Sequence, residues 1–276
     1  MSAATHSTQG TPYYFIPQPS RHPAMVALAM FLVILGAGQW VNGASWGKYS
    51  VLLGLALWAV IMFQWFGDAI GESEGKLYSD RVDLSFRWSM SWFIFSEVMF
   101  FAAFFGALYW ARAHALPMLG NLEHQILWPD FKAVWPSAGP GITASPAGTV
   151  EPARVPLPRA HPARLGSQRA KTVLWMWITV ALGVTFLFVQ AYEYMHAYRD
   201  LNLKLSSGIF GSTFFMLTGF HGFHVCVGAL MLIFITLRIQ KGHFTPERHF
   251  GFEGAAWYWH FVDVVWLGLY IVVYWL

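Results

Sequence analysis

Apolar positions along the chain gather into six runs, at residues 24–41, 49–66, 88–110, 173–194, 208–237 and 255–276. Each is long enough to cross a hydrocarbon core about 30 Å thick, given some tilt and loose ends. Helix is the required form, because lipid offers no partners to open backbone groups. Trp and Tyr stand near many run ends, among them Trp40, Trp46, Tyr49, Trp65, Trp88, Trp110, Trp257, Tyr274 and Trp275. That is the placement of interfacial aromatic belts. The pattern predicts an all-α, polytopic transmembrane helix bundle.

Polar stretches divide the runs. Residues 1–23 form a polar tail rich in Ser, Thr and Pro. The apolar region starts only near Met25 and no small-residue cleavage site follows, so the tail does not read as a cleaved leader. Residues 24–67 form a two-helix hairpin with a short polar turn at 42–48, and 68–87 a charged connection. Residues 88–276 form the main bundle, interrupted at 113–171 by an atypical Pro/Gly/Arg-rich segment that reads as loop.

Composition agrees with lipid as the main solvent. Hydrophobic residues make up 56% of the chain and charged ones 11%, against about a quarter charged in an average soluble protein. The single Cys226 excludes an internal disulfide, a paired-cysteine metal site and a CxxCH haem attachment. The pI near 9 fits a modest Lys/Arg excess in membrane loops. No basic cluster interleaved with aromatics appears, so nucleic acid is not an expected partner.

Glu97, in WFIFSEVMFFAAFFG, is the most informative polar residue. It stands roughly 13 Å into its helix from Trp88, near mid-membrane. Its helical neighbours are Phe93, Ile94, Phe100 and Phe101. A carboxyl group there is expected to be protonated or firmly hydrogen-bonded. It is either a functional group or a neutral acid that fixes packing by bonding another helix.

His221 and His224, three apart in FGSTFFMLTGFHGFHV, share one helix face. A metal site needs three or four ligands and an ordered second layer, and His260 is the only other histidine well inside a run. Bonds to neighbouring helices or headgroups are the expected role, and no metal site is predicted. Gly219, Gly222 and Gly228 permit close helix approach. His260 and Asp263 are expected to satisfy each other or a partner helix, with a proton relay as the alternative. Glu193 sits near a run end, where a headgroup or interfacial partner is expected; Asp68 and Glu72 read as interfacial. No nucleophile–base arrangement or phosphate-binding loop is present, so no catalytic residue is expected in this chain.

SEVMFF around Glu97, QAYEY at 190–194, GSTFFMLTGFHGFHV at 211–225 and HFGFEGAAWYWHFVDVVWLGLYIVVYW at 249–275 together resemble cytochrome c oxidase subunit III. The clearest likeness covers 88–110 and 173–276; the hairpin and QWFGDAIGE are similar less sharply. The resemblance implies seven transmembrane helices, with the first two split from the rest by a V-shaped, lipid-filled cleft. It implies a non-catalytic core subunit of a proton-pumping terminal oxidase that reduces O2 to water. Such a subunit packs beside subunits I and II, stabilises subunit I, holds structural phospholipids and supports proton uptake. Haem and copper belong to the partner subunits and no cofactor to this chain. Glu97 matches the family's buried, carbodiimide-reactive carboxylate. Glu72, Glu193, His221, His224, Arg238, His260 and Asp263 match positions of lipid or inter-helix polar contact. The tail resembles bacterial versions more than organellar ones, which implies a bacterial inner membrane, with the mitochondrial inner membrane as alternative.

Two departures stand out. Where many relatives carry Arg beside headgroups, this chain has Gly67 and Gly71. And where relatives have their fourth helix, residues 139–171 are full of Pro and Arg, which disfavours helix in lipid. Charge nevertheless favours a crossing near 150–163. It would place Arg21, Lys76, Arg81, Arg87, Arg164, Arg169, Lys171, Arg238, Lys241 and Arg248 inside, leaving Lys48, Arg112, Lys132, Arg199 and Lys204 outside. That is the positive-inside pattern, and six crossings alone would reverse it. Residues 133–170 therefore read either as a spanning segment or as a locally altered one. A quinol-oxidase subunit III is the nearest alternative function, disfavoured by WYWHFVDVVW. A proton-coupled transporter would need discontinuous helices in matching halves, and none is evident.

Overall fold

The computed structural model describes residues 19–75, 77–137, 139–140, 169–244 and 249–275. Among these residues all regular structure is helical. Six long helices carry it: α1 (His22–Val41), α2 (Gly47–Glu74), α3 (Asp80–Trp110), α4 (Arg169–Arg199), α5 (Gly208–Lys241) and α6 (Phe250–Leu269). Each is long and apolar enough to cross a membrane. The six apolar runs are thus all helices, and the chain is a transmembrane α-helical protein.

The helices outrun the apolar stretches. The charged connection expected at 68–87 is mostly helix, since α2 continues to Glu74 and α3 starts at Asp80. A helix satisfies its own backbone, so it need not end where lipid ends. Asp80 and Asp83 in the first turn of α3 also suit the positive end of the helix dipole. The loop expected at 113–171 likewise begins as helix. A π-helical turn, Ala111–Ala115, extends α3, and short helices follow at Leu116–Leu119 and Leu122–Gln125. Ala111 and Leu116 are buried there, which gives this stretch something to pack on. The crossing expected near 150–163 lies outside the described residues.

The chain divides into two compact units, Met1–Phe86 and Arg87–Leu276. In the first, α1 and α2 touch backbone to backbone. A Cβ added to Gly36 would lie 2.8 Å from the Gly47 carbonyl oxygen, and one on Gly54 would lie 2.8 Å from that of Ala29. Small residues let membrane helices approach this closely. The Ser50 hydroxyl donates to the Leu32 carbonyl at 2.9 Å. At the other end of the hairpin His22 Nε2 meets Asp68 Oδ2 at 2.8 Å. Just beyond α2, Tyr78 donates its hydroxyl to Glu72 at 2.6 Å. Burial, reinforced by that carboxylate, pushes the Tyr78 hydroxyl well above the ordinary tyrosine range, so it stays a donor.

In the second unit α3 and α6 run parallel. Arg87 pairs with Glu253, Phe101 meets Phe261 with ring centroids 6.1 Å apart, and Arg112 donates to the Val272 carbonyl at 3.4 Å. Helix α5 runs against both, with Phe104 on Phe220 and Gly228 on Trp259. Helix α4 is antiparallel to α5, for Phe186 faces His221 and Tyr194 faces Phe215. Consequently α3, α4 and α6 all point one way. The chain leaves α3 at one end of this unit and enters α4 at the other. Residues 135–137 still lie at the first end, where the Phe210 N–H donates to the Ser137 carbonyl and Arg112 sits over Trp135.

Trp259, 3% exposed, wedges α6 between α4 and α5. A Cβ on Gly183 would come within 2.6 Å of its ring, and one on Gly228 within 3.0 Å. The indole is the end of a boxed-in side chain, so it has little room to yield. Gly183→Ala is therefore expected to destabilise the second unit by about 1–2 kcal/mol, the lower part of the overpacking range. Thermal unfolding of the purified chain, with Gly106→Ala as an open-space control, would check it.

Candidate functional site

Glu97 lies seventeen residues into α3 and His224 sixteen into α5. Each is thus roughly 25 Å along its helix from the start and near its middle. Antiparallel packing brings them to the same level. Glu97 Oε2 and His224 Nε2 are 2.9 Å apart, with the His224 side chain 9% and the Glu97 side chain 22% exposed. The other imidazole nitrogen, Nδ1, is 2.6 Å from the Phe220 carbonyl oxygen of the preceding helical turn.

These two contacts define the proton inventory. A carbonyl oxygen only accepts, so Nδ1 carries a hydrogen. Nε2 then either accepts from a protonated Glu97 or donates to an ionised one. Both arrangements hold one shared proton and no net charge. Taking a lone charge out of water is costly, whereas a neutral pair avoids that penalty.

Aromatic rings pack around the pair. Phe101 stands edge-on to the His224 ring at 5.2 Å, Phe223 at 5.7 Å and Phe261 at 6.2 Å, while Tyr258 stacks at 6.3 Å. These rings make the surroundings of the imidazole apolar, which strengthens the bond and raises the penalty for leaving either partner alone.

The remaining candidate residues divide among other places. His221, one turn from His224, is fully buried. Glu193 is also buried, and Tyr274 donates its hydroxyl to Glu193 Oε1 at 2.9 Å. Its position six residues before the end of α4 suggested an interfacial partner; the partner shown is an aromatic residue on the last turns of the chain. On α6, His260 is exposed and Asp263 half-buried. Arg238 lies over the Phe244 ring at 4.6 Å, and Glu72 holds Tyr78 in the first unit. Among the described residues no three His, Cys, Asp or Glu side chains gather as a metal site.

Several polar residues that sequence reasoning passed over do real bonding. Gln190 donates to the Thr218 carbonyl at 2.6 Å. The Thr218 hydroxyl gives its hydrogen to the Phe214 carbonyl, so the Tyr194 hydroxyl, 2.7 Å away, must be the donor to Thr218. Gly222 makes the approach possible, because a Cβ there would strike the Gln190 amide. At the far end Glu253 receives both Arg87 and His249. The paired acid in HFGFEGAAW was the one available signal.

The sequence model of the family described as cytochrome c oxidase subunit III matches residues 12–276. The chain is similar to the protein named cytochrome c oxidase subunit 3 of Halichoerus grypus, 38% identical over 273 residues and covering 98% of each. The protein of the same name from Dugong dugon matches to the same extent. That of Papio hamadryas is 39% identical over 264 residues, covering 95% of this chain and 96% of the relative.

Proposed function

Because this chain belongs to the cytochrome c oxidase subunit III family, and so is a subunit of an oxidoreductase complex built with other oxidase subunits, we propose that it serves there as a non-catalytic core subunit. In this reading it stabilises subunit I, binds phospholipids and supports proton uptake by a proton-pumping enzyme. Electrons pass through haem and copper held by partner subunits. The bacterial inner membrane is the proposed location, on the likeness of the tail alone.

The observation that carries this reading is the Glu97–His224 pair. It lies between two helices near their middles, both His224 nitrogens are committed to partners, and aromatic rings surround the imidazole. Such a pair locks α3 to α5. Among the described residues its hydrogen bonds end on the Phe220 carbonyl oxygen. Large apolar residues exposed on α1, α2 and α3, such as Ile34, Phe63, Trp92 and Met99, suit contact with lipid tails and a neighbouring membrane subunit.

Purification in mild detergent tests the proposal. The chain is expected to emerge with a larger subunit and a haem absorbance. Glu97→Gln is expected to leave electron transfer in the assembled enzyme largely intact, because a Gln amide can still donate to His224 Nε2. Complete loss of oxidase turnover in a correctly assembled Glu97→Gln enzyme would overturn the non-catalytic role.

A further inference from the structure

His221 poses a problem that Glu97 does not solve. It is 2% exposed, and among the described residues neither ring nitrogen has a hydrogen-bond partner. A neutral imidazole presents one N–H and one bare nitrogen, and inside a bilayer both need a partner. His224 cannot supply one, since both of its nitrogens are engaged.

His221 lines a small cavity together with Gln190, Glu193, Thr218 and Tyr274, with Phe186, Trp266, Leu269 and Tyr270 completing its wall. The cavity gives the centres of water molecules ≈ 20 Å³ of room. One buried water needs about 10–15 Å³ on that measure, so the space has room for a water molecule. The polar groups around it are unevenly matched. Gln190 has given a hydrogen to the Thr218 carbonyl, Thr218 to the Phe214 carbonyl and Tyr274 to Glu193. The lining residues carry acceptors on Glu193 and Gln190 and donors on Tyr270 and Trp266, and His221 adds one of each. A water molecule, with two of each, complements that set.

We propose that one water molecule is bound in this cavity, hydrogen-bonded to His221 on α5 and to the Glu193–Tyr274 pair that joins α4 to the end of the chain. The terminal π-helical turn, Tyr270–Trp275, carries Tyr270 and Tyr274 to the same wall. Glu97 is not among the residues that line the cavity. The water adds a solvent-mediated tie through His221 to the direct bonds of Glu193 with Tyr274 and of Gln190 with Thr218.

A density map of the assembled complex, at a resolution that shows other buried waters, tests it. The expected result is one peak within hydrogen-bond distance of a His221 ring nitrogen and of an oxygen of Glu193 or Tyr274. The peak should vanish in His221→Leu and return in His221→Gln. An empty cavity in the wild-type map overturns the proposal, and so does a peak unchanged in His221→Leu. If His221→Leu fails to assemble, the wild-type map alone decides. If the chain purifies without a haem-bearing partner, the proposed function fails, while a map of the full chain in lipid nanodiscs still decides whether the water is there.

Discussion

His224→Leu is expected to destabilise the chain by about 1–3 kcal/mol, and adding Glu97→Leu to it is expected to restore most of the loss. The first change leaves the Glu97 carboxyl between α3 and α5 with no imidazole. An unsatisfied buried polar group costs about that much, whereas replacing both partners by apolar ones can be nearly neutral. The magnitude also reports the protonation state. If the pair is a neutral acid and a neutral imidazole, the coupling between the two changes should stay within the roughly 0.6–1.7 kcal/mol of inter-helix hydrogen bonds in membranes. If it is carboxylate and imidazolium, the single changes should cost more, about 3–5 kcal/mol each, because a stranded charge is worse than a stranded dipole. Unfolding of the four variants in a mixed detergent series, followed by circular dichroism, gives both numbers. Additive losses would mean that the two side chains do not depend on each other, and the bond at 2.9 Å would lose its assigned role.

Some of this was legible in the sequence and some was not, for physical reasons. Helices in lipid must be long and apolar, so all six could be read from composition alone, and Glu97 stood out because it violates that composition. Its partner did not. His224 is 127 positions away, and helical periodicity relates residues three or four apart, never residues on different helices. His221 and His224 looked alike in sequence, yet one closes a pair with Glu97 and the other faces a cavity. Three residues turn the helix by about 300° and leave the two side chains about 60° apart, and only packing shows what each one meets. Helix ends were misjudged at 68–87 because polar residues mark where lipid stops rather than where helix stops. Gln190 escaped notice because an amide carries no charge; its importance depends on Gly222, whose missing side chain is visible as a space only once α4 lies against it.

Cysteine labelling across the membrane is expected to place Asn121 and Ser206 on one face and Gly242 on the other, after the native Cys226 is replaced by Ala. Helices α3, α4 and α6 are parallel, as the contacts of Arg87, Phe101 and Arg112 with α6 and of Tyr194 with α5 require. The chain at Ser137 still lies beside Phe210 at the start of α5, while α4 begins at Arg169, 31 residues from its own end and so roughly 46 Å from that level. A chain that simply alternated through six crossings would make α4 antiparallel to α3. Asn121 and Ser206 would then be labelled from opposite faces, and Asn121 and Gly242 from the same one. Residues 140–169 connect the two ends, and 29 peptide steps reach about 95 Å at full extension, so length permits the return passage that parallel helices demand. An impermeant thiol reagent applied to sealed vesicles of known orientation distinguishes the two outcomes completely, because Ser206 and Gly242 each change sides relative to Asn121. Labelling of Asn121 and Ser206 from opposite sides would show that α3 and α4 are not parallel, and would overturn the antiparallel packing of α3 on α5 that the Phe104–Phe220 contact records.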